Sequence, residues 1–253
     1  MRGPPVFDGE IAVIHNEARA GVVTLTLASP PEFEGARAGQ FLMVASLRPG
    51  APLLARPMSI LSARPSLAIT FTVYSEATRM LAEAARGERL HVTGPLGEPF
   101  GDMPDDVLVV ADGTHFGTLL GFAHERAAAG RPADVCFVER PAGGRPGASE
   151  QDTVLTERFE RVARSIRVVP FEKLDSILSH APPEAIAAGA SNAAMRIVQE
   201  DAGARGIPGR AALQTAMPCG LGACQGCIFP RRAGGYLRVC DGPVFPLSEP
   251  EFG

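Results

Sequence analysis

The chain has 253 residues, of which 45% are hydrophobic and 21% are charged, and its formal net charge is −4. This composition is typical of a folded globular protein with a sizeable core, and it excludes a largely disordered chain. The acidic balance, with Lys173 as the single lysine, argues against nucleic-acid binding, which needs clustered cations. No apolar run approaches the roughly 18 residues that span a bilayer.

Short β-type runs separated by Gly and Pro occupy the first hundred residues. The clearest runs are residues 11–15, 22–28, 41–46, 67–74 and 89–93, and one helical pattern covers residues 75–85. Several short strands joined by turns are typical of a small antiparallel β-barrel. We therefore predict a barrel domain over residues 1–103.

A possible cofactor motif lies within this domain, at Arg56-Pro57-Met58-Ser59-Ile60. It combines a cation, a rigid turn and a hydroxyl near the expected end of a strand. The Arg can pair with a pyrophosphate, and Ser59 can donate to a flavin ring or to a phosphate. Taken alone the motif is weak, and a surface turn is the alternative interpretation.

The pattern changes after residue 104 to that of a parallel sheet. Residues 107–111 form a continuous apolar run, residues 118–129 are compatible with a helix, and a second apolar run surrounds Cys136. Strands at 166–170 and 185–188 and a helix at 193–200 repeat the unit. This β–α–β spacing predicts a Rossmann-like α/β domain over residues 104–208, with Cys136 as a small core residue.

Four cysteines follow in a segment rich in Gly and Pro, which we assign to a small module over residues 209–253. The ligands Cys219, Cys224, Cys227 and Cys240 have the form C-x4-C-x2-C-x12-C, and the first spacings are those of plant-type [2Fe–2S] ferredoxins. Intervening glycines would let the backbone wrap closely around a cluster and aim N–H groups at its sulfur atoms. The sequence thus predicts a [2Fe–2S] site.

A zinc site is the alternative, since it also uses four thiolates, but it usually presents two short C-x2-C knuckles. The segment after Gly206 shows little periodicity, so we expect metal binding rather than apolar burial to hold it together. A disulfide framework is not expected, because the N-terminal residues lack the apolar core of a signal peptide. We therefore expect a cytoplasmic protein.

The order of these motifs resembles the ferredoxin-reductase superfamily, in which an FAD-binding barrel precedes a nucleotide-binding α/β domain. The cysteine segment narrows the resemblance to the electron-transfer subunits of two-subunit, NAD-linked dihydroorotate dehydrogenases. The resemblance spans residues 10–247. It is strongest at the cysteines, at Arg56 to Ile60 and at Cys240-Asp241-Gly242-Pro243-Val244-Phe245.

The resemblance implies a set of FAD contacts in this chain. The first group corresponds to Arg56, Pro57, Met58 and Ser59. A second family segment, Tyr-Arg-Val-x-Gly-x-Gly-Thr, corresponds to residues 71–78 and implies contacts from Phe71, Thr72, Val73, Ala77 and Thr78. Only Val73 and Thr78 agree with the family pattern, so we expect FAD to be bound differently or more weakly at this segment.

The α/β domain departs from the family at the positions that contact pyridine nucleotide. The family's Gly-Gly-Gly-x-Gly loop is replaced by residues 111–117, where Asp112 adds negative charge and His115 and Phe116 fill space. A Cys-Gly signature becomes Ala188-Gly189, and the Asp-Gly-Ser-x-Gly segment that should follow the strand ending at Pro170 is absent.

We therefore expect this domain to keep its fold and to bind NAD(H) poorly or not at all. The alternative is a divergent loop in which Gly113 and Gly117 allow the close approach of a nucleotide. His115 is expected to be a space-filling or capping residue rather than a catalytic one.

The primary functional hypothesis is an electron-transfer subunit that contains FAD and a [2Fe–2S] cluster. Its expected partner is a flavin-containing catalytic subunit of the FMN barrel type, in a hetero-oligomer. A self-contained NAD(P)H:acceptor reductase is a second hypothesis, and an intact nucleotide loop would favour it. A nonenzymatic adaptor that binds zinc is the third.

Overall fold

The structure of this chain, a computed structural model, describes residues 6–139, 148–174 and 182–253. It contains a β-barrel, an α/β sheet and a cysteine-containing segment between the last two strands of that sheet. None of the helices in these ranges is both long and apolar enough to cross a membrane.

Six antiparallel strands close the N-terminal barrel in the order β1-β2-β5-β4-β3-β6. They are β1 (Phe7–Arg19), β2 (Val22–Leu27), β3 (Phe41–Ser46), β4 (Arg56–Ser62), β5 (Leu67–Thr72) and β6 (Arg89–Leu96). The strand β2 shows why the barrel forms: Val23, Leu25 and Leu27 are buried, and the intervening threonines are half-buried. The predicted barrel is confirmed.

Two details of the barrel differ from the expectations. The motif from Arg56 to Ile60 begins a strand rather than ending one, because its residues pair with β3. The helical pattern at 75–85 forms a shorter helix, α1 (Glu76–Ala82), which starts at a capping box between Ser75 and Thr78.

The second domain is a six-stranded sheet in the order β14-β11-β10-β7-β8-β9. Its parallel strands are β7 (Val107–Ala111), β8 (Asp134–Glu139), β9 (Ser165–Pro170), β10 (Ala185–Gly189) and β11 (Gly209–Ala212). The helices are α2 (Phe116–Ala128), α3 (Ala148–Glu160) and α4 (Asn192–Arg205). The continuous apolar run of β10 is explained by burial of all its residues, as expected for a strand covered on both faces.

The last third of the chain is joined to this sheet. The strand β11 pairs with β10, and β14 (Val244–Pro246) pairs antiparallel with β11. Between them lies a small hairpin of β12 (Ile228–Pro230) and β13 (Tyr236–Arg238). We propose that the cysteine module is best taken as the insertion 213–243, with 209–212 and 244–246 assigned to the sheet.

The expectation that the last segment buries little apolar surface is wrong. Phe229, Leu237, Val239 and Phe252 are all at most 9% exposed and belong to one core with the sheet. The rings of Phe229 and Phe252 meet edge-on at 5.7 Å between centroids. These residues lie in short strands and loops, so their burial leaves no periodic pattern in the sequence.

Close backbone contacts fix the barrel against the rest of the chain. A Cβ added at Gly121 of α2 would lie 2.4 Å from the carbonyl oxygen of Ile60 in β4, so this glycine allows the helix to contact the barrel. The turn after β6 contacts the segment that follows the last cysteine, since the N–H of Glu98 donates to the carbonyl of Gly242. These contacts hold α2 and the segment after Cys240 against the barrel.

Candidate functional site

A cavity opens where the barrel, the sheet and the cysteine segment meet. It encloses about 730 Å³ of empty space, part of which is open to solvent. Its wall combines residues of three regions: barrel residues Phe41, Pro57, Met58, Ser59, Thr70, Phe71, Thr72 and Tyr74; sheet-domain residues Thr114, His115, Phe116, Gly117 and Thr118; and connecting residues Leu213, Gln214, Thr215, Met217 and Pro243. The wall combines apolar and polar groups in similar proportion, and a concave cleft between domains is a common position for a cofactor.

The structure brings five of the residues implied as FAD contacts to this cavity, namely Pro57, Met58, Ser59, Phe71 and Thr72. Four others do not line it: Arg56, Val73, Ala77 and Thr78. The guanidinium of Arg56 instead donates to the carbonyl of Leu54 at 2.9 Å. Thr78 is completely buried, and its hydroxyl is used by the capping box of α1.

Other wall residues were not predicted as cofactor contacts, although the sequence analysis places His115, Phe116 and Gly117 in the loop that replaces the nucleotide signature. Phe41 lies opposite Ser59 in the β3–β4 pairing, so its place at the wall follows from the strand register and not from a motif. The polar residues Gln214 and Thr215 come from a connection with no recognisable motif. Only their position just before Cys219 indicates that they lie near the cluster segment.

Ser59 links the two domains at the cavity wall. Its hydroxyl is 2.7 Å from the hydroxyl of Thr118 at the start of α2. Each hydroxyl has one donor and two acceptor positions, so both keep capacity for a bound ligand. The pair thus fixes α2 against β4 and leaves hydrogen-bonding groups at the cavity.

The four predicted ligands of the cluster form two pairs. The thiols of Cys227 and Cys240 are 3.1 Å apart and buried, whereas Cys219 is half-buried and Cys224 is exposed. Among the described residues, no three or more His, Cys, Asp or Glu side chains are grouped so that they could hold one metal ion. Two thiol pairs suit a binuclear cluster with four cysteine ligands.

The backbone around these thiols fits an anionic iron–sulfur group. N–H groups of Leu221, Gly226 and Cys240 point at cysteine sulfur atoms at 3.4 Å. The wrapping of the loop depends on left-handed conformations at Gly220, with φ 69°, and Gly222, with φ 78°. The donor set and the loop therefore fit a [2Fe–2S] group held by these cysteines.

The thiols differ in their proton affinity for identifiable reasons. Backbone N–H groups of Cys224 and Leu221 lower the pKa of Cys219 to about 6. Burial, followed by the neighbouring Cys227 thiol, raises the pKa of Cys240 to about 12. The fifth cysteine, Cys136, lies in the sheet core at 1% exposure, and burial raises its pKa to about 11. Cys136 is therefore a core residue, as expected.

The cavity and the thiol pairs are close along the chain. Met217 and Pro243 line the cavity, two residues before Cys219 and three residues after Cys240 respectively. A fully extended chain spans roughly 3.5 Å per residue, so these connections reach at most about 7 Å and about 11 Å. A group in the cavity would thus lie next to the segments that hold the cluster.

The loops that replace the nucleotide signatures meet at the carboxyl ends of β7 and β10. Asp112 follows β7, is 3% exposed, and accepts a hydrogen bond from the N–H of Ser191 at 2.7 Å. His115, with a side chain 16% exposed, lies at the cavity wall and is 2.7 Å from the hydroxyl of Thr114 through Nδ1. Both residues therefore occupy the region where a nucleotide would approach the sheet.

Comparison with known proteins gives the relatives of this chain. Residues 214–249 match the iron–sulfur cluster binding domain of dihydroorotate dehydrogenase B. The electron transfer subunit of dihydroorotate dehydrogenase B (NAD(+)) from Caldanaerobacter subterraneus subsp. tengcongensis is 29% identical over 83% of this chain and 85% of that protein. The corresponding subunit from Desulforamulus reducens is 25% identical over 95% of this chain and 96% of that protein.

Solved structures share the fold. The NADH-dependent reduced ferredoxin-NADP oxidoreductase, studied for flavin-based electron bifurcation, superimposes with a TM-score of 0.74 at 20% identity, over 96% of this chain and 90% of that one. A ferredoxin NADP+ reductase from Neisseria gonorrhoeae with bound FAD and NADP gives 0.57 at 14% identity, over 83% and 95%. The comparisons thus confirm that this chain has a ferredoxin-reductase-like fold and is related to the electron transfer subunits of dihydroorotate dehydrogenase B.

Proposed function

We propose that this chain is an electron-transfer subunit that passes electrons between FAD in the interdomain cavity and a [2Fe–2S] cluster, and between that cluster and a flavoprotein partner. The observation that carries the proposal is the shared wall of the two sites: the cavity is lined by Met217 and Pro243, which flank the segment holding the cysteines. When bound, FAD would exchange electrons singly or in pairs, and the cluster would relay them one at a time.

The residues of the cavity supply the contacts that a flavin needs. Phe41, Phe71 and Tyr74 offer aromatic surface, which suits a planar ring. Ser59 and Thr72, which the family resemblance implies as FAD contacts, offer hydroxyls for its polar edge. No Lys or Arg lines the described cavity wall, so backbone N–H groups and hydroxyls would hold much of the ligand there. We propose that Arg56, just outside the wall, reaches the pyrophosphate.

The cysteines would hold the cluster with one pair inside and one pair near the surface. Cys227 and Cys240 are buried, whereas Cys224 is exposed. Beside the outer pair runs a groove lined by Cys219, by Leu221 at 62% exposure and by Leu53 at 96% exposure. We propose that a flavin-containing catalytic subunit of the FMN barrel type covers this groove in a hetero-oligomer.

The partner proposal follows from the relatives, which are named as electron transfer subunits of an oxidoreductase. A subunit of this kind works only when a second protein accepts or supplies its electrons. We further propose that the complex acts in the cytoplasm, where thiols stay reduced, and the absence of disulfides among the described cysteines is consistent with this.

The test is the cofactor content of the chain purified anaerobically, alone and with the catalytic subunit. We expect flavin absorption, iron and acid-labile sulfide in equal amounts, and an electron paramagnetic resonance signal after reduction. Replacing a ligand by Cys224→Ser or Cys240→Ser should remove the signal and leave the flavin bound, and Cys136→Ser should preserve both. A colourless protein that contains zinc would contradict the proposal and support the adaptor hypothesis.

A further inference from the structure

The sheet has a crevice at the carboxyl ends of β7 and β10, the two strands at which the strand order reverses, and side chains and backbone of this chain occupy it. From β7 the chain continues through β8 and β9 on one side and returns to β10 and β11 on the other. In open α/β sheets, ligands bind outside the carboxyl ends of the two strands at which the order reverses. Here those strands are β7 and β10, and the residues at their ends are Asp112 and Ser191.

One buried carboxylate takes the donors that line this crevice. Asp112 Oδ1 accepts the N–H of Thr114 at 2.8 Å, the N–H of His115 at 3.3 Å and the hydroxyl of Thr114. Its Oδ2 accepts the N–H of Ser191, the residue that precedes α4. Backbone N–H groups at such positions before a helix are the ones that bind the pyrophosphate of a dinucleotide.

The glycines that remain in the two loops serve contacts within the protein. A Cβ added at Gly189 would lie 3.2 Å from the Cβ of His115, so the space beside this glycine holds the histidine. A Cβ at Gly117 would lie 3.2 Å from the carbonyl oxygen of Thr70 in the barrel. Gly117 therefore allows α2 to contact the barrel. Because the barrel occupies the space beside this glycine, a nucleotide cannot approach closely there.

We propose that Asp112 acts as a built-in anion that occupies the phosphate position of the crevice and excludes NADH and NADPH from this domain. If a dinucleotide entered, its pyrophosphate would lie beside the carboxylate of Asp112. The N–H groups that could stabilise the pyrophosphate are already paired with that carboxylate. This proposal rests on the proposed function, because it concerns how an electron-transfer subunit receives its electrons. If pyridine nucleotides are excluded, electrons enter and leave this subunit only by way of protein partners.

The test is binding of ADP-ribose, which carries the pyrophosphate of NAD without the nicotinamide. Titration calorimetry on the cofactor-loaded full chain should give no saturable binding at millimolar ADP-ribose. Asp112→Gly removes the internal anion and frees its donors, so we expect at least about a ten-fold gain in affinity. Asp102→Asn is the control for charge alone, because the Asp102 side chain is 95% exposed, and it should show no gain.

Several outcomes would overturn the proposal. Saturable micromolar binding of ADP-ribose to the unmodified chain is one, and stoichiometric reduction of its flavin by NADH in stopped-flow mixing is another. A folded Asp112→Gly variant without a gain in affinity is a third. If that variant does not fold, Asp112→Asn replaces it: a gain over Asp102→Asn supports the proposal, and no gain overturns it.

These measurements are separable from the test of the electron-transfer function. Flavin and cluster content are read from the visible spectrum, and reduction by dithionite tests the cofactors without a nucleotide. A chain that lacked flavin and cluster would contradict the proposed function, whereas its ADP-ribose affinity would still report on Asp112.

Discussion

Among single residues, Asp112 shows how a buried charge can be stabilised by neighbouring hydrogen-bond donors and a nearby imidazole. Burial alone would raise the pKa of this carboxyl, but interactions with His115 and Thr114 outweigh burial and hold its pKa below its ordinary value. Charge-assisted hydrogen bonds of this kind are about twice as strong as neutral ones. The carboxylate therefore stabilises both loops in its ionised form.

We expect this stabilisation to depend on pH in a defined direction. Because the folded-state pKa of Asp112 is depressed, its contribution is present above the unfolded value of about 3.9 and is lost as the pH falls through the folded-state pKa. Asp112→Asn should lower the free energy of unfolding by about 2 to 3 kcal/mol at pH 7. Denaturation of both proteins from pH 7 to pH 3 measures the difference.

The difference between the two proteins should begin to shrink below about pH 4, where Asp112 of the unfolded chain becomes protonated, and it should disappear as the pH falls through the folded-state pKa. Asp102→Asn serves as the matched control and should track the wild type over the whole range, since its side chain is 95% exposed. A constant difference between wild type and Asp112→Asn down to pH 3 would contradict the role assigned to the ionised form.

The sequence could predict part of what these residues do. The position of Asp112 directly after a buried strand indicates the nucleotide loop, and its charge argues against a phosphate there. Its bond to Ser191 could not be predicted, because the two residues are 79 positions apart and become neighbours only when β7 pairs with β10. His115 is the N-cap residue of α2 but makes no side-chain capping hydrogen bond, and it lines the cavity, so its capping or space-filling role stays a prediction.

At the scale of elements, α2 depends on glycine where it crosses the barrel. Gly117 and Gly121 are one helical turn apart and face β4 and β5, where an added Cβ would meet backbone oxygens at 3.2 Å and 2.4 Å. Glycine inside a helix lowers its stability, so its presence here is explained by the packing. The helix could not lie this close to the barrel with a larger residue at Gly121.

Two glycine substitutions separate packing from helix propensity. Gly121→Ala should destabilise the protein by about 1 to 3 kcal/mol, because backbone must move to admit the methyl group. Gly203→Ala in α4 meets nothing within 4 Å and should stabilise it by up to about 1 kcal/mol. Thermal unfolding gives both values, and flavin content reports whether the cavity survives. Equal effects of the two substitutions would contradict the assigned packing role.

Elements with a strong local pattern were predictable, and those defined by distant pairing were not. The continuous apolar run of β7 and the alternation in β2 identify these strands directly. The strands β11 and β14 are only four and three residues long, and they pair across the whole cysteine segment. Such short strands have no periodicity of their own, so their place in the sheet appears only in the fold.

In the molecule as a whole, the loop over residues 219–227, here called the cluster loop, is one of the places at which the cysteine segment contacts the barrel. A Cβ added at Gly220 would lie 2.5 Å from Cγ and 2.7 Å from Sδ of Met43 in β3. The sequence predicted that the glycines of this loop serve the cluster. It could not show that one of them also serves contact with the barrel, because Met43 lies far away along the chain.

Gly220→Ala should therefore impair electron transfer between flavin and cluster by more than the strain of a left-handed alanine alone would. The matched control is Gly234→Ala, since Gly234 also has positive φ, at 86° against 69° for Gly220, but its added Cβ would meet nothing within 4 Å. Both variants have the cost of a left-handed alanine, about 1 kcal/mol. Only Gly220→Ala must also move Met43 or the loop, which we expect to add about 1 to 2 kcal/mol.

The measurement is twofold: iron content per chain, and the rate of electron transfer between flavin and cluster after rapid reduction. Displacing the loop from the barrel should lower the iron content or slow the transfer in Gly220→Ala, and Gly234→Ala should match the wild type in both. If the two variants behave alike, the contact with Met43 does not position the cluster. The loop would then be held by the cysteines and its own backbone alone.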